Sequence, residues 1–213
     1  MKHALITGGA KRIGRAIALA LAKDGWNITI HYNTSEKEAR ELAKTINADC
    51  VQADLSNIED IHKLAKFIAD GNFTALINNA SLFEHDDLDP DGIRHKAVNF
   101  IAPHVLSKAL RKGAVVTLLD STLPMLKNMD NYKQSRQAAR ADIATLAEQF
   151  APNVRVNAIS LGPVLPAARQ SQAHFDKLCA GALLQKPVPL EDITNAVLFL
   201  LNSTAITGNI LFI

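Results

Sequence analysis

Short apolar runs alternate with longer amphipathic stretches along the whole chain of 213 residues. The first run, HALIT at residues 3–7, leads into Ile13, Ile17 and Leu21, which recur at the spacing of one helix face. Six further runs of strand length follow at residues 27–32, 49–54, 73–80, 114–119, 154–160 and 209–213. Because right-handed crossovers place the intervening helices on both faces of a sheet, this alternation predicts an α/β doubly wound (Rossmann) fold with about seven parallel strands.

Length and composition limit the number of domains and the kind of partner. A chain of this length suits one domain with a large core, so we expect a single domain over residues 1–213. Hydrophobic residues make up 48%, charged residues 21%, and the formal net charge is +2. This near balance favours neither a nucleic-acid surface nor a membrane surface. Since no apolar run reaches the roughly 18 residues of a membrane span, and the first run is too short for a signal peptide, we expect a cytoplasmic protein with a small-molecule partner.

Polar residues mark the starts of two predicted helices. Ser35 and Glu38, and again Ser56 and Glu59, are three residues apart, which is the spacing of a capping box. Pro103 falls inside the next predicted helix, where its missing N–H should bend the helix.

Ligands of doubly wound sheets bind beyond the carboxyl ends of the strands, so the loops after the strands are the candidate sites. After the first strand comes TGGAKRIG at residues 7–14. Glycines there allow backbone N–H groups and a helix N-terminus to approach a pyrophosphate. The alternative is a tight turn that needs glycine only for its φ angles. The position between a strand and a helix favours dinucleotide binding, with Gly8, Lys11, Arg12 and Ile13 in contact with the cofactor.

The end of the second strand distinguishes between the two nicotinamide cofactors. An acidic side chain there would bind the ribose 2′-hydroxyl of NAD, but the chain has HYNTS at residues 31–35. Because Lys11 and Arg12 lie nearby in the glycine loop, the sequence predicts NADPH rather than NADH. The alternative role of Ser35 is a helix cap. The cofactor contacts expected from this segment are His31, Tyr32, Asn33 and Ser35.

The chain resembles the short-chain dehydrogenases/reductases over nearly its whole length. The resemblance rests on TGGAKRIG, on ADL at residues 53–55, on NNAS at residues 78–81, on Asn99 and on Tyr132. In that family these positions bind the cofactor or support the sheet beside it. The resemblance implies further cofactor contacts from Asp54, Leu55, Asn79, Ala80, Ser81, Asn99, Tyr132, Arg136 and Gly162.

Within that family the chain is most similar to the pteridine reductases, which include the bacterial dihydromonapterin reductases. Arg12 stands where most family members have glycine and the pteridine reductases have arginine. NNASLF resembles their NNAS-x-F, which implies that Phe83 stacks on a pterin ring and that Ser81 touches cofactor and substrate. Packing on the core is the alternative for Phe83. Thr34 replaces the basic residue that this branch has after its second strand, which weakens the expected 2′-phosphate site.

The expected proton donor is Tyr132, at the family's tyrosine position. A phenol with an ordinary pKa near 10 needs a nearby cation to act at neutral pH. Arg136 lies one helical turn further on the same face, whereas Lys133 lies on a different face. The family has a lysine at position 136, which holds the nicotinamide ribose and passes protons on. Arginine keeps the charge and can hold the ribose, but it cannot release a proton.

Asp120 follows the fifth strand, where most of the family has its catalytic serine and the pteridine reductases have aspartate. An aspartate there can relay protons if burial raises its pKa. A cap for the following turn is the alternative role of Asp120, and Ser121 is the alternative catalytic residue. The resemblance thus implies substrate contacts from Arg12, Ser81, Phe83, Asp120 and Tyr132.

Two other segments have weaker implications. Residues 165–188 occupy the place of the family's variable substrate loop and contain Arg169, His174 and Phe175. DLDPDG at residues 87–92 imitates a calcium loop but lacks the glutamate at its twelfth position, so we expect a solvated helix start. The seven histidines show no metal-ligand spacing, and we expect no metal.

These residues predict an NADPH-dependent oxidoreductase that reduces a dihydropterin by hydride transfer to a C=N bond. One alternative is a nucleotide-binding relative with weak or no catalysis, because Arg136 replaces the usual lysine. Another is a reductase of 3-oxoacyl or other carbonyl substrates. The resemblance also implies a homo-oligomer, a dimer or a tetramer, although family members usually continue past the last strand into a tail that helps to build subunit contacts.

Overall fold

Seven parallel strands form one sheet within residues 2–167 and 170–213, the part of the chain that the computed structural model describes. They are β1 (His3–Ile6), β2 (Asn27–Tyr32), β3 (Asp49–Gln52), β4 (Ala75–Asn78), β5 (Gly113–Asp120), β6 (Val154–Leu161) and β7 (Ile210–Phe212). Their order across the sheet is β3-β2-β1-β4-β5-β6-β7, and each neighbouring pair is parallel. The predicted doubly wound sheet is confirmed.

Helices cover both faces of this sheet. They are α1 (Arg12–Lys23), α2 (Glu36–Ile46), α3 (Ile58–Asp70), α4 (Ile93–Lys96), α5 (Ala102–Ala109), α6 (Asp130–Phe150), α7 (Gln172–Gly181) and α8 (Leu190–Asn202). One face packs against α1, α2 and α8, and the other against α3, α5 and α6. In the described part of the chain, none of these helices is both long and apolar enough to cross a membrane.

Burial on both faces explains why the central strands are continuous apolar runs. All of residues 114–119 in β5 are buried. Ile17 of α1 and Val197 of α8 are fully buried on one side of the sheet, and Ile61 of α3 and Leu106 of α5 on the other. A strand covered by helices on both faces has no solvent side on which polar residues would alternate.

The predicted capping boxes are wrong in detail. Ser35 precedes α2, but within the described residues its side chain makes no cap hydrogen bond. The cap of α3 is Asn57, whose Oδ1 accepts from the backbone N–H groups of Glu59 and Asp60 at 2.8 and 3.4 Å. Asparagine is as good a cap as serine, and here it stands one residue nearer to the helix. The Ser56 hydroxyl donates instead to the carboxylate of Asp54.

The helix around Pro103 is interrupted just before the proline. A π turn at Ala97–Ile101 separates α4 from α5, and Pro103 then lies in the first turn of α5. A proline is tolerated there, because the N–H that it lacks would have no partner within the helix.

The reversal of strand order lies between β1 and β4, which are neighbours in the sheet although β2 and β3 separate them in the chain. Loops leaving β1 and β4 therefore run in opposite directions along the sheet and open a crevice at its carboxyl edge. This crevice contains most of the predicted site residues.

Candidate active site

The glycine turn after β1 is tightly packed. Gly8 has φ +61°, in the left-handed region that glycine tolerates. A Cβ at Gly14 would lie only 2.3 Å from the carbonyl oxygen of Gly8, so a larger residue would force the turn open. The side chain of Lys11, the residue before α1, makes no cap hydrogen bond to the first N–H groups of the helix in the described structure. This is the arrangement that binds a phosphate. Gly14 belongs to the motif but was missing from the predicted contacts.

Two loops of the crevice are locked together by Thr7 and Asn79. Thr7 Oγ1 accepts from the backbone N–H groups of Asn79 and Ala80, both at 3.0 Å. Asn79 Nδ2 donates to the carbonyl oxygens of Thr7 and Gly8 at 2.8 and 3.0 Å. Sequence reasoning missed Thr7, although a threonine that ends an apolar strand is a usable signal.

His31 braces the glycine turn from inside the protein. Its Nδ1 accepts from the N–H of Gly8 at 3.1 Å, and its Nε2 donates to the carbonyl oxygen of Ala53 at 3.1 Å. Burial lowers the pKa of His31 from 6.5 to about 4, so the imidazole is neutral at pH 7. Tyr32 is also buried, and the cofactor contacts predicted for His31 and Tyr32 stay predictions. Asn33 is exposed and Ser35 is half-exposed beside them.

Lys11 and Arg12 flank a smaller cavity of about 350 Å³ between α1 and α2. Lys11 Nζ lies 3.5 Å from Glu38 Oε1, and both side chains are about half exposed. The guanidinium of Arg12 donates to the carbonyl oxygens of Leu165 and Pro166 at 3.3 and 2.8 Å. Arg12 therefore joins the glycine turn to the segment after β6.

The main cavity, of about 530 Å³, lies at the carboxyl ends of β1, β4, β5 and β6. It brings together nine of the predicted site residues, which are Arg12, Ile13, Asn79, Ser81, Phe83, Asp120, Tyr132, Arg136 and Gly162. The predicted substrate segment contributes Leu165, Ala167, Gln170, Phe175 and Leu178 to the wall. His174 is exposed, and Arg169 lies outside the described residues.

Asp120 and Tyr132 meet on one wall of the main cavity. The Tyr132 hydroxyl donates to Asp120 Oδ2 at 3.0 Å. Asp120 Oδ1 accepts from both the N–H and the hydroxyl of Thr122, each at 2.6 Å. The aspartate therefore both caps its turn and holds the tyrosine. The Ser121 hydroxyl donates to the carbonyl oxygen of Leu161 at 2.8 Å, whereas Asp120 contacts Tyr132.

Burial controls the acidity of Tyr132, which is only 4% exposed. Burial raises the pKa of the phenol well above its usual value, and the nearby Asp120 carboxylate raises this pKa further. The Arg136 guanidinium, 6.0 Å from the ring centre, acts in the lowering direction but is outweighed. Arg136 thus offsets only part of the rise in this pKa, and the phenol keeps its proton at neutral pH.

Arg136 is a buried cation on the cavity wall. One Nη donates to the carbonyl oxygen of Leu118 in β5, and Nε has no hydrogen-bond partner within the described part of the chain. A buried N–H without a partner is costly unless something else satisfies it. The guanidinium therefore has donor capacity left at the place where the family's lysine holds the ribose.

Phe83 presents an open ring to the main cavity. Its ring meets the Tyr132 ring edge to face, with centroids 4.9 Å apart and planes at 89°. The side chain is 40% exposed, so it is not packed away in the core. An exposed aromatic face beside the Tyr132 ring suits a flat heteroaromatic ligand.

Three residues predicted to contact the cofactor do not line the main cavity. Asn99 is fully buried, and its amide bonds Ser81, Leu82 and Ser135, so it positions the loop after β4. Leu55 is buried in the core. The carboxylate of Asp54 accepts from the N–H and hydroxyl of Ser56 and shapes the turn before α3.

The acidic stretch at 87–92 leads into α4 and is largely exposed, as we expected, but one of its carboxylates is buried. Asp89 is 3% exposed and accepts from the ring N–H of His95, which is fully buried. In the residues that the structure describes, no group of three or more histidine, cysteine, aspartate or glutamate side chains could hold a metal ion.

A glycine turn at the switch point of a doubly wound sheet is the architecture of dinucleotide-binding proteins. A family model described as enoyl-(acyl carrier protein) reductase matches residues 8–213. The crystal structure of FolM alternative dihydrofolate reductase 1 from Brucella canis, complexed with NADP, is 35% identical with a TM-score of 0.89, over 99% of this chain and 91% of that chain. The uncharacterized oxidoreductase YmfI of Bacillus subtilis is 30% identical, over 99% of this chain and 96% of that protein.

A third relative, the 3-oxoacyl-[acyl-carrier-protein] reductase FabG of Staphylococcus aureus, is 27% identical, over 97% of this chain and 94% of that protein. The chain belongs to the short-chain dehydrogenase/reductase family, and the FolM structure confirms the predicted resemblance to its pteridine reductase branch.

Proposed function

We propose that the protein is an NADPH-dependent oxidoreductase that reduces a dihydropterin. Hydride is added to the carbon of a C=N bond, and a proton is added to its nitrogen. The observation that carries this proposal is the hydrogen bond from Tyr132 to Asp120, on a cavity wall where the exposed ring of Phe83 lies beside the donor. The similarity to FolM, an alternative dihydrofolate reductase whose structure contains NADP, supports the same assignment.

The residues of the crevice fit NADPH. The close approach of Gly14 to Gly8 and the uncapped start of α1 among the described residues suit a pyrophosphate. Lys11 can meet a 2′-phosphate, and the Ser35 hydroxyl makes no cap hydrogen bond in the described structure that would compete. When bound, NADPH supplies the hydride.

The remaining side chains have separable roles. Phe83 would stack on the pterin, and Arg12 would hold its edge. Tyr132 would donate the proton, because its raised pKa keeps the phenol protonated until charge develops on the substrate nitrogen. Asp120 fixes the hydroxyl, and after the transfer its carboxylate would take a proton from solvent and pass it to the phenolate of Tyr132. Arg136 would hold the nicotinamide ribose.

A nucleotide-binding relative with little or no turnover is the second candidate. It is favoured by Arg136, which is bonded to Leu118 and cannot pass on a proton as lysine does. A carbonyl reductase is the third, and the FabG relative supports it.

The test follows NADPH oxidation with dihydromonapterin, dihydrobiopterin, dihydrofolate and a panel of ketones that includes a 3-oxoacyl thioester. The natural protein, Arg136→Lys and Tyr132→Phe are compared. Turnover of a dihydropterin by the natural protein and its loss in Tyr132→Phe is the expected result. If the natural protein and Arg136→Lys both bind NADPH but neither turns over any substrate, the proposed reductase function is refuted. Turnover of ketones alone would replace the pterin with a carbonyl substrate.

Domain organisation, assembly and location complete the proposal. We infer one domain over residues 1–213, with residues 165–188 as the substrate segment, a homo-oligomer and a cytoplasmic location. Size-exclusion chromatography coupled to light scattering measures the oligomeric state. A monomer at the protein concentration of the activity assay would refute the homo-oligomer.

A further inference from the structure

Segment 82–92, between β4 and α4, connects Phe83 and Tyr132, two of the aromatic residues that line the main cavity. It carries Phe83 at one end, and its middle is fastened to the start of α6, the helix that carries Tyr132. The residue before α6, Met129, provides no side-chain cap within the described structure. Asp86 provides it from segment 82–92. Its two carboxylate oxygens accept from the N–H groups of Asp130 and Asn131 at 2.7 and 3.1 Å.

Asn131, in the first turn of α6, contacts segment 82–92 in turn. Its Nδ2 donates to the carbonyl oxygens of Asp89 and Pro90 at 2.9 and 3.4 Å. Gly92 lets the chain pass closely, because a Cβ there would lie 2.9 Å from the Asn131 amide. Segment 82–92 is therefore bound to the first turn of α6 by side chains from both partners.

Asp89 and His95 form a buried pair beneath this connection. The ring Nδ1–H of His95 donates to Asp89 Oδ2 at 2.6 Å, and the backbone N–H of His95 donates to the same oxygen at 2.8 Å. The N–H of Arg94 donates to the other oxygen at 3.2 Å. His95 is 0% exposed, and its Nε2 has no partner in the described part of the molecule. A buried ring nitrogen without a hydrogen-bond partner destabilises the folded state. Packing of the His95 ring must offset this loss of stability.

That ring packs on Tyr132. The centroids of the His95 and Tyr132 rings are 6.2 Å apart with planes at 71°, and Phe83 contacts Tyr132 in the same edge-to-face way. The charged groups nearest to the phenol are Asp120 at the end of β5 and Arg136 on α6. The tyrosine thus has an aromatic neighbour on the cavity side and another on the buried side.

We propose that His95, held in place by Asp89, is a positioning residue that keeps the Tyr132 phenol dry and aimed at Asp120. Only the expected change in kcat rests on the proposed function, in which Tyr132 donates the proton. The expected change in the phenolate titration does not. The chain has two tyrosines, so in a Tyr32→Phe background the ultraviolet titration of phenolate reports Tyr132 alone, in the absence of any ligand.

The test compares His95→Gln with a matched control, a substitution of a second histidine that bonds an aspartate. His104 of α5 makes a similar pair, with Nδ1 donating to Asp142 Oδ2 of α6 at 2.8 Å, but it lies away from Tyr132. Both variants lose an imidazole that bonds an aspartate. His95→Gln should lower the pH of phenolate formation by about one unit, because water reaches a phenol that burial protects, and should reduce kcat about tenfold with an unchanged Kd for NADPH. His104→Gln should change neither.

Two additional measurements keep the outcomes distinct. Circular dichroism along the titration shows whether the fold persists, and His95→Phe keeps an aromatic ring while removing the bond to Asp89. The proposal would be overturned if His95→Gln stays folded but forms phenolate at the same pH as His104→Gln and has the same kcat. A shifted titration in a protein that reduces no dihydropterin would support His95 and refute the proposed function instead.

Discussion

The Tyr132 hydroxyl donates to Asp120 Oδ2 at 3.0 Å, while the N–H and hydroxyl of Thr122 hold the other oxygen of the same carboxylate. The aspartate cannot turn away from the tyrosine without breaking two bonds of 2.6 Å. In the proposed reaction, the phenol oxygen is therefore held in place before a substrate binds.

Removal of the phenol oxygen should abolish proton donation without disturbing the cofactor site. For Tyr132→Phe we expect kcat to fall by about 10²–10⁴-fold, the usual contribution of a general acid, with the Kd for NADPH unchanged. Stopped-flow hydride transfer and fluorescence titration measure the two quantities. Tyr32→Phe, which removes the other buried tyrosine hydroxyl, should keep its kcat. Full activity in Tyr132→Phe would exclude it as the acid.

Arg136→Lys should restore a residue that can exchange protons. We expect kcat to rise by about tenfold or more, since a lysine can relay a proton and an arginine cannot. Arg136→Met should weaken NADPH binding, because it removes the donors that face the ribose position. A lower kcat in Arg136→Lys would show that the natural enzyme depends on the guanidinium, for example through its bond to Leu118.

The sheet and the crevice could be predicted because they follow from periodic patterns and from residues close together in sequence. The unpredicted features depend on residues that are distant in sequence. Asp86 caps a helix that begins 44 residues later, and no local pattern encodes that contact. His95 looked like one of several unremarkable histidines. The net direction of the Tyr132 pKa shift could not be predicted, because a sequence shows the charge of Arg136 but not the extent of burial, which decides the sign.

Gly14→Ala tests the close packing of the glycine turn. The added Cβ would lie 2.3 Å from the Gly8 oxygen, so the turn must open. We expect a loss of stability of about 1–3 kcal/mol and a large rise in the Kd for NADPH. Gly25→Ala is the control, because Gly25 has φ +79° but nothing within 4 Å of an added Cβ. It should lose stability, seen in urea unfolding, while keeping its Kd. Equal Kd values in the two variants would contradict a phosphate site at the turn.

Glu38→Gln should improve NADPH binding selectively. Glu38 lies 3.5 Å from Lys11 and competes for the charge that a 2′-phosphate needs. We expect the Kd for NADPH to fall by about threefold and that for NADH to stay constant, with a smaller difference at high salt, as is usual for exposed pairs. Glu36→Gln, whose partner is Arg40, is the control. An equal change for both cofactors would show that Lys11 does not read the 2′-phosphate.

His31 should make the protein acid-labile in a defined range. Its pKa falls from 6.5 in an unfolded chain to about 4 in the folded protein, so between these values the unfolded state binds more protons. The stability that the neutral imidazole contributes is therefore complete above pH 6.5 and is lost as the pH falls towards 4. From pH 7 to pH 5 this amounts to about 2 kcal/mol.

Urea unfolding of the natural protein and of His31→Gln at both pH values measures this loss. Glutamine can still accept from Gly8 and donate to Ala53, but it does not titrate, so the variant should lose about 2 kcal/mol less than the natural protein between pH 7 and pH 5. His62→Gln, at an exposed position on α3, should behave like the natural protein. If His31→Gln keeps the full pH dependence, the proton is bound elsewhere, and His31 is not the group that couples the glycine turn to pH.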